Sequence, residues 1–211
     1  MKKIICILSG IFLLASCTKS PLSELEMEAA TKPSDESATA AKPRFDNTVP
    51  QFVLYTIPAG QHSSDKSVFK AVKVTTMNFV ARFDNSAIYK TVIPENQYDI
   101  NKLYGFSEGL NHQYNSARIG WAFNDGALRL YAYAYNKGVR QSQEITTVSI
   151  GADVSCSIAV SGFSYIFTVN NVSVRLPRAL STSSASGYQL YPYFGGDEVA
   201  PQNIFISIKQ L

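Results

Sequence analysis

Beyond residue 48 the chain alternates between apolar and polar positions. Phe79, Ala81 and Phe83 interleave with Val80 and Arg82. Leu128, Leu130, Ala132 and Ala134 interleave with Arg129, Tyr131, Tyr133 and Tyr135, and Ile204, Ile206 and Ile208 with Phe205, Ser207 and Lys209. A period of two puts the members of each set on opposite faces of an extended strand. Short runs rich in Val, Ile, Tyr, Phe and Thr, separated by Gly, Asn, Asp and Pro, predict strands over 51–57, 70–84, 116–124, 127–136, 143–150, 154–161, 163–170, 173–176, 188–194 and 203–209. Asn124-Asp125-Gly126 is the sharpest hairpin signal, because Asp-Gly supplies the positive φ angles of a two-residue turn; Asn136-Lys137-Gly138 and Ser161-Gly162 mark two more. No helix of three turns is predicted in this stretch. Some ten antiparallel strands are too many for one open sheet, so the expected fold is all-β, a two-sheet antiparallel β-sandwich.

The N-terminal pattern is different. Lys2 and Lys3 precede an apolar run from Ile4 to Leu14, followed by Ala15, Ser16 and Cys17. A basic start, a short apolar core and small residues make an export signal, and the run falls short of the roughly 20 apolar residues that span a bilayer. Residues 18–48 shift to Ser, Thr, Ala, Lys, Glu and Pro with few large apolar side chains, too few to offset the entropy of ordering. The expected organisation is a signal peptide over 1–16, Cys17 and a flexible tether to 48, and a β-sandwich over 49–211. A coil of the tether's length has a root-mean-square span on the order of 30 Å.

Leu14-Ala15-Ser16-Cys17 resembles the bacterial lipobox, in which the signal is cut before a cysteine whose thiol carries a diacylglycerol. The resemblance implies lipidation at Cys17, including palmitate-type acyl chains, and a protein anchored to a membrane rather than spanning it. Thr18 stands where an Asp retains enterobacterial lipoproteins at the inner membrane, so an outer-membrane address is expected, with the periplasmic or surface face left open. Cys6 leaves with the signal, which leaves Cys156 as the one thiol of the mature chain. It lies on the apolar phase of its strand, and a buried core thiol is expected there.

Composition and charge narrow the partners. The 211 residues include 19 Lys+Arg and 16 Asp+Glu, a formal net charge of +3, with 45% hydrophobic and 12% aromatic residues. A disordered chain would be poorer in apolar residues, and a nucleic-acid binder would carry a larger basic excess. Residues 49–211 hold thirteen bases and ten acids, a mild preference for acidic partners.

The succession of Ala117-Arg118-Ile119-Gly120-Trp121, a turn at Asp125-Gly126, Leu128 to Tyr133, a turn at Lys137-Gly138 and Tyr165 to Asn170 is similar to the central strands of concanavalin A-like jelly rolls. The segment 190–201 with its closing strand resembles a group of Bacteroidota lipoproteins. These resemblances imply a lectin- or glucanase-type jelly roll on an outer-membrane lipoprotein.

Candidate chemistry follows from the strand faces. Arg129, Tyr131, Tyr133 and Tyr135 share one face about 7 Å apart along the strand, where flat aromatics stack on sugar C–H faces and phenol or guanidinium groups bond hydroxyls. Such tyrosines also simply suit strands. Trp121, between Ile119 and Phe123, reads as core rather than as a sugar platform. His112, Tyr114 and Arg118 lie in a polar cluster without apolar periodicity. Jelly-roll polysaccharide lyases use His or Tyr as base with Arg and amides on the uronate, although this chain lacks the Gln-Ile-His and Tyr-Xaa-Lys-Xaa-Gly patterns of alginate lyases. Asp197 and Glu198, flanked by Gly195 and Gly196, offer oxygen ligands for Ca²⁺ or form an ordinary turn. No strand-centred carboxylate pair for glycoside hydrolysis, nucleophile elbow, phosphate loop or zinc helix is present. The sequence favours a carbohydrate-binding protein without turnover. The alternatives are a polysaccharide lyase acting on acidic glycans and a surface adhesion protein that binds another protein.

Overall fold

The computed structural model describes residues 49–211. The signal segment, Cys17 and the tether lie outside the described residues. Two antiparallel six-stranded sheets form a sandwich. The strands are β1 (Val53–Ile57), β2 (Ala71–Val74), β3 (Thr76–Phe83), β4 (Asn101–Ser107), β5 (Asn115–Asn124), β6 (Ala127–Asn136), β7 (Val139–Val148), β8 (Val154–Ser161), β9 (Ser164–Val169), β10 (Val172–Pro177), β11 (Ala185–Leu190) and β12 (Ile204–Gln210). The first sheet runs β1, β12, β3, β8, β9, β10 and the second β2, β11, β4, β5, β6, β7. The all-β expectation therefore holds, with twelve strands where ten were predicted.

The alternating strands behave as their pattern requires. Phe79, Ala81, Phe83, Leu128, Leu130, Ala132, Ala134, Ile204, Ile206 and Ile208 are all buried between the sheets. Trp121 is fully buried against Phe83 and Tyr89, with ring centroids at 5.3 and 5.7 Å, so it belongs to the core. Cys156 is buried, and burial pushes its thiol up to about 12, which makes it inert. The hairpin signals hold as well. Asp125 and Gly126 have φ of 50° and 72°, and Lys137 and Gly138 have 50° and 82°, the left-handed pair that matches strand twist.

Three boundaries depart from the pattern. The run 70–84 breaks at Thr75 into β2 and β3, which belong to different sheets, so the chain crosses the sandwich in one residue. The run 188–194 stops at Leu190, because Pro192 cannot donate to a ladder. β4 was not predicted. It is the strand between β11 and β5, nearly every residue of it is buried on one face or the other, and Asn101-Lys102-Leu103-Tyr104-Gly105 consequently shows no alternation. Gly105 permits that position, since a Cβ there would overlap the Ala117 carbonyl of β5.

One end of the sandwich is closed by a buried ion pair. Glu108, just past β4 in the second sheet, accepts from Arg178 Nε at 2.6 Å and Nη2 at 2.8 Å, and also from the Tyr165 hydroxyl of β9 in the first sheet. Arg178 spends its remaining donors on the carbonyls of Gly162, Leu180, Thr182 and Ser184 and on the Thr182 hydroxyl. Both side chains are almost entirely out of water, at 0% and 3% exposure, so the pair is stable only because its lone pairs and protons are all matched. Arg178→Met should leave Glu108 as an uncompensated buried charge and cost about 3–5 kcal/mol in urea unfolding, whereas replacing both partners by apolar residues should cost much less. A single variant as stable as the parent would remove this assignment.

Candidate functional site

The outer face of the second sheet is not a free surface. Along β5 the outward residues Ser116, Arg118, Ala122 and Asn124 are buried along with the inward ones. The cover is a strap after β11, where the N–H groups of Lys102 and Tyr193 each donate to the other's carbonyl at 2.8 and 2.9 Å, and where Gly195 N–H donates to the Asn101 side chain at 2.7 Å. Between this strap and the loop after β4 a groove of about 620 Å³ stays open. Its floor carries Lys102 of β4, Arg118 of β5, Tyr133 and Tyr135 of β6 and Gln189 of β11; His112, Tyr188, Tyr193 and Phe69 rise along its sides.

The floor is cationic and its cations are unspent. Arg118 is 6% exposed, and its Nε has no hydrogen-bond partner. The phenols of Tyr133, Tyr135, Tyr188 and Tyr193 surround it in place of a carboxylate. Lys102 Nζ lies 5.3 Å from the Tyr133 ring centroid and 5.7 Å from that of Tyr193. Among the described residues neither cation forms an ion pair. Burial, reinforced by Arg118 and Arg140, lowers the Lys102 ammonium to about 8, and Asp99 offsets this in part. The Gln189 side-chain oxygen, also buried, lacks a donor. A floor with an unused guanidinium N–H, an ammonium and a free amide oxygen is built for a ligand that has both an anionic group and a hydroxyl.

Aromatic walls suit the same ligand. His62 stacks on Tyr193 with centroids 5.2 Å apart and planes 10° from parallel, while Phe69 leans on Tyr188 at 5.7 Å. His112 Nδ1 and the Tyr188 hydroxyl share a 2.8 Å hydrogen bond. Burial first and Arg118 second lower the His112 imidazole below its usual value, which favours its neutral form at pH 7. Burial and the neighbouring Tyr135 raise the Tyr133 phenol to about 12, so it stays protonated and can donate.

The residues singled out from the sequence divide between two places. Tyr133 and Tyr135 join His112 and Arg118 in the groove, bringing together two clusters that the sequence read separately. Arg129 stands apart, bound to Glu144 at 3.1 Å with Asp125 at 3.7 Å, and half-buried Tyr131 is not in the groove lining. Tyr114 is exposed beside the Lys137-Gly138 turn, where its carbonyl accepts from Gly138 N–H at 2.9 Å. Glu198 uses its carboxylate on the N–H groups of Val92 and Ile93 at 2.8 Å each and on Asn96, and among the described residues no cluster of three His, Cys, Asp or Glu side chains assembles. Glu198 thus braces the loop at Val92 and Ile93 with both carboxylate oxygens. Lys102, Gln189, Tyr188 and Tyr193 were missed. Lys102 sits in the unpredicted β4, and the others lie on or just beyond β11, whose facing partners only the sheet order supplies.

No family model matches the chain, and no curated protein matches it. Solved structures do. The chain is similar to the alginate lyase AlyC3, with a TM-score of 0.50 at 8% identity over 74% of this chain and 72% of that one. It is similar to the alginate lyase vAL-1 from Chlorella virus, with a TM-score of 0.47 at 13% identity over 81% and 86%. A third is the family-7 alginate lyase A1-II′, at 0.46 and 11% identity over 74% and 76%. At such identities the likeness is one of fold, a jelly-roll β-sandwich that alginate lyases share.

Lys102 makes the site sensitive to alkali. Its folded value of about 8 lies below the ordinary 10.5, so the fold carries the cost of a buried charge at neutral pH and sheds it as pH rises from 8 to 10.5. Lys102→Met should stabilise the domain at pH 7 by on the order of 2 kcal/mol, screening at the groove mouth taking back part of the full linkage value. That gain should vanish above pH 10.5, as read by urea unfolding at several pH values. An equal gain at every pH would mean that the ammonium is not perturbed.

Proposed function

We propose that residues 49–211 bind an acidic polysaccharide in this groove without turnover, the carboxylate of a sugar unit meeting Arg118 and Lys102. The observation that carries this reading is the buried Arg118, its Nε unpartnered, beside the half-buried Lys102, neither with an ion-pair partner among the described residues. A protein would not hold them out of water for stability, since each costs desolvation that an anion can return. Tyr133, Tyr135 and Tyr193 supply faces for the ring and hydroxyls for the rim of the sugar. On a glycan array the protein should retain uronate-containing polymers and pass neutral ones, and Arg118→Met should weaken retention by about tenfold or more, in line with a lost charged hydrogen bond. Arg129→Ala and Tyr131→Ala, both outside the groove, should leave retention within about twofold. Equal retention of neutral polymers, or indifference to Arg118→Met, would reject the site.

One contact favours a second reading, a lyase acting on the same acidic glycans. A neutral His112 joined to Tyr188 beside Arg118 could take a proton from the carbon next to a carboxylate whose charge the guanidinium stabilises, as the glycosidic C–O bond on the adjacent carbon breaks, a C=C bond forms and the departing sugar oxygen takes up a proton from water. Incubation with acidic polysaccharides should then produce the ultraviolet absorbance of an unsaturated uronate, lost in His112→Ala. Silence across a panel of polyuronates would leave binding alone.

We further propose that the domain is carried on a lipid anchor at Cys17, most simply at the outer membrane. What supports this is the apolar run ending in Leu14-Ala15-Ser16-Cys17. Labelled palmitate should enter the protein and Cys17→Ser should abolish it; continued labelling would reject the anchor.

A further inference from the structure

We propose that the end of the sandwich closed by Glu108 and Arg178 is a docking surface for an anionic lipid bilayer, with the tips of four loops seated among the headgroups. The hydrogen bonds of that end tie the loops together. Arg178 holds Gly162 and Leu180 through their carbonyls, its N–H donates to Phe163 at 2.9 Å, and Glu108 anchors the loop that runs on to Tyr114, whose carbonyl takes Gly138 N–H. Each loop presents an apolar side chain to water. Leu110 is 85% exposed, Phe163 66%, Val139 60%, Tyr114 52% and Leu180 43%. They belong to separate turns of this end.

Charge decides between a bilayer and other occupants. The exposed cations Lys137 and Arg140 flank the β6–β7 turn; Lys73 pairs with Ser186 beside the same end, and Arg175 lies on β10 shortly before Arg178. The one acid here is Glu108, already neutralised inside the sandwich. The remaining acids are elsewhere. Asp84 follows β3, Asp125 is in the β5–β6 turn 3.7 Å from Arg129, Asp153 precedes β8 and pairs with Arg82 at 2.7 Å, and Glu198 braces Val92 and Ile93, all towards the far end of the sandwich. Asp65 and Glu144 are paired with Lys66 and Arg129. The far end also exposes apolar groups, Val92 at 87% among them, but sets them among carboxylates that an anionic surface would repel. A domain cationic at one end and anionic at the other orients in the field of an anionic membrane. Isolated Leu, Phe, Val and Tyr tips above a ring of Lys and Arg are the composition that enters the interfacial region.

The test uses the full chain with Leu110→Trp or Phe163→Trp, and Val92→Trp at the acidic end as reference; buried Trp121 gives a constant background that also reports folding. Vesicles of brominated phosphatidylcholine, with and without phosphatidylglycerol, quench an indole that enters them. The probes at 110 and 163 should lose about half of their emission on the phosphatidylglycerol vesicles, the probe at 92 almost none, and raised salt or Lys137→Glu with Arg140→Glu should restore the signal. Absence of quenching at both tips, equal quenching at position 92, or quenching indifferent to phosphatidylglycerol would each overturn the proposal, and the first would return these loops to a protein partner.

Discussion

Glu108 cannot be charged and alone between two sheets, and much of the molecule is arranged by what neutralises it. Its carboxylate takes two bonds from Arg178 and one from Tyr165, which joins the second sheet to the first and the loop after β4 to the loop after β10. Arg178 in turn collects four carbonyls, so the irregular segment 178–184 is ordered by a side chain rather than by a ladder. The loop that begins at Glu108 is the one that delivers His112 to the groove wall, where Tyr188 of β11 meets it. The Ser116 hydroxyl, donating to the His112 carbonyl at 2.6 Å, fixes the other side of that loop. The position of the imidazole therefore depends on an ion pair at the closed end of the sandwich.

Two buried arginines, Arg178 and Arg118, show opposite solutions to burial. Arg178 is matched donor for donor and serves structure. Arg118 is nearly as deeply buried, keeps an unpartnered Nε and is surrounded by phenols, which are weak substitutes for a carboxylate. Lys102 adds a second charge, which burial and the nearby Arg118 push below its ordinary value. A fold that tolerates such repulsion in a groove stores a free energy that only an anion releases, and the energy comes from the dry core beneath, where Trp121, Phe83 and Phe194 pack. The strap at Gly195-Gly196 shows how little room was left, for a Cβ on Gly195 would strike Lys102 Nζ and one on Gly196 would strike the Asp99 carboxylate.

The legible part of the sequence was whatever obeys a local period. Strands with one wet face, such as β3, β6 and β12, announced their inward residues, and Asp125-Gly126 and Lys137-Gly138 announced their turns, because those preferences are set within a few residues. β4 and the outer face of β5 carried no such sign. Both are buried on two sides, the outer side by the distant strap at Tyr193 and Gly195, and burial on both sides erases alternation. The site suffered the same way. The tyrosine row on β6 was visible as a face, but Tyr131 and Tyr133, two residues apart, part company because the register puts Gly120 opposite one and Arg118 opposite the other.

That register is the step that turns a strand into a site. Along β6 the outward residues Arg129, Tyr131, Tyr133 and Tyr135 face Ala122, Gly120, Arg118 and Ser116 of β5 in turn, and on the other side Tyr131 meets Glu144 and Tyr135 meets Arg140 of β7. The bulge between Leu130 and Tyr131 sets which β7 residues those are. At one end of the strand the neighbours are acidic, so Arg129 is neutralised and the surface is spent. At the other they are Arg118 and Arg140, with Lys102 across β5, so the same aromatic row lies in a positive field. Cross-strand neighbours thus divide one strand into a quiet half and a half with unfilled electrostatic demand, and the groove lies over the second.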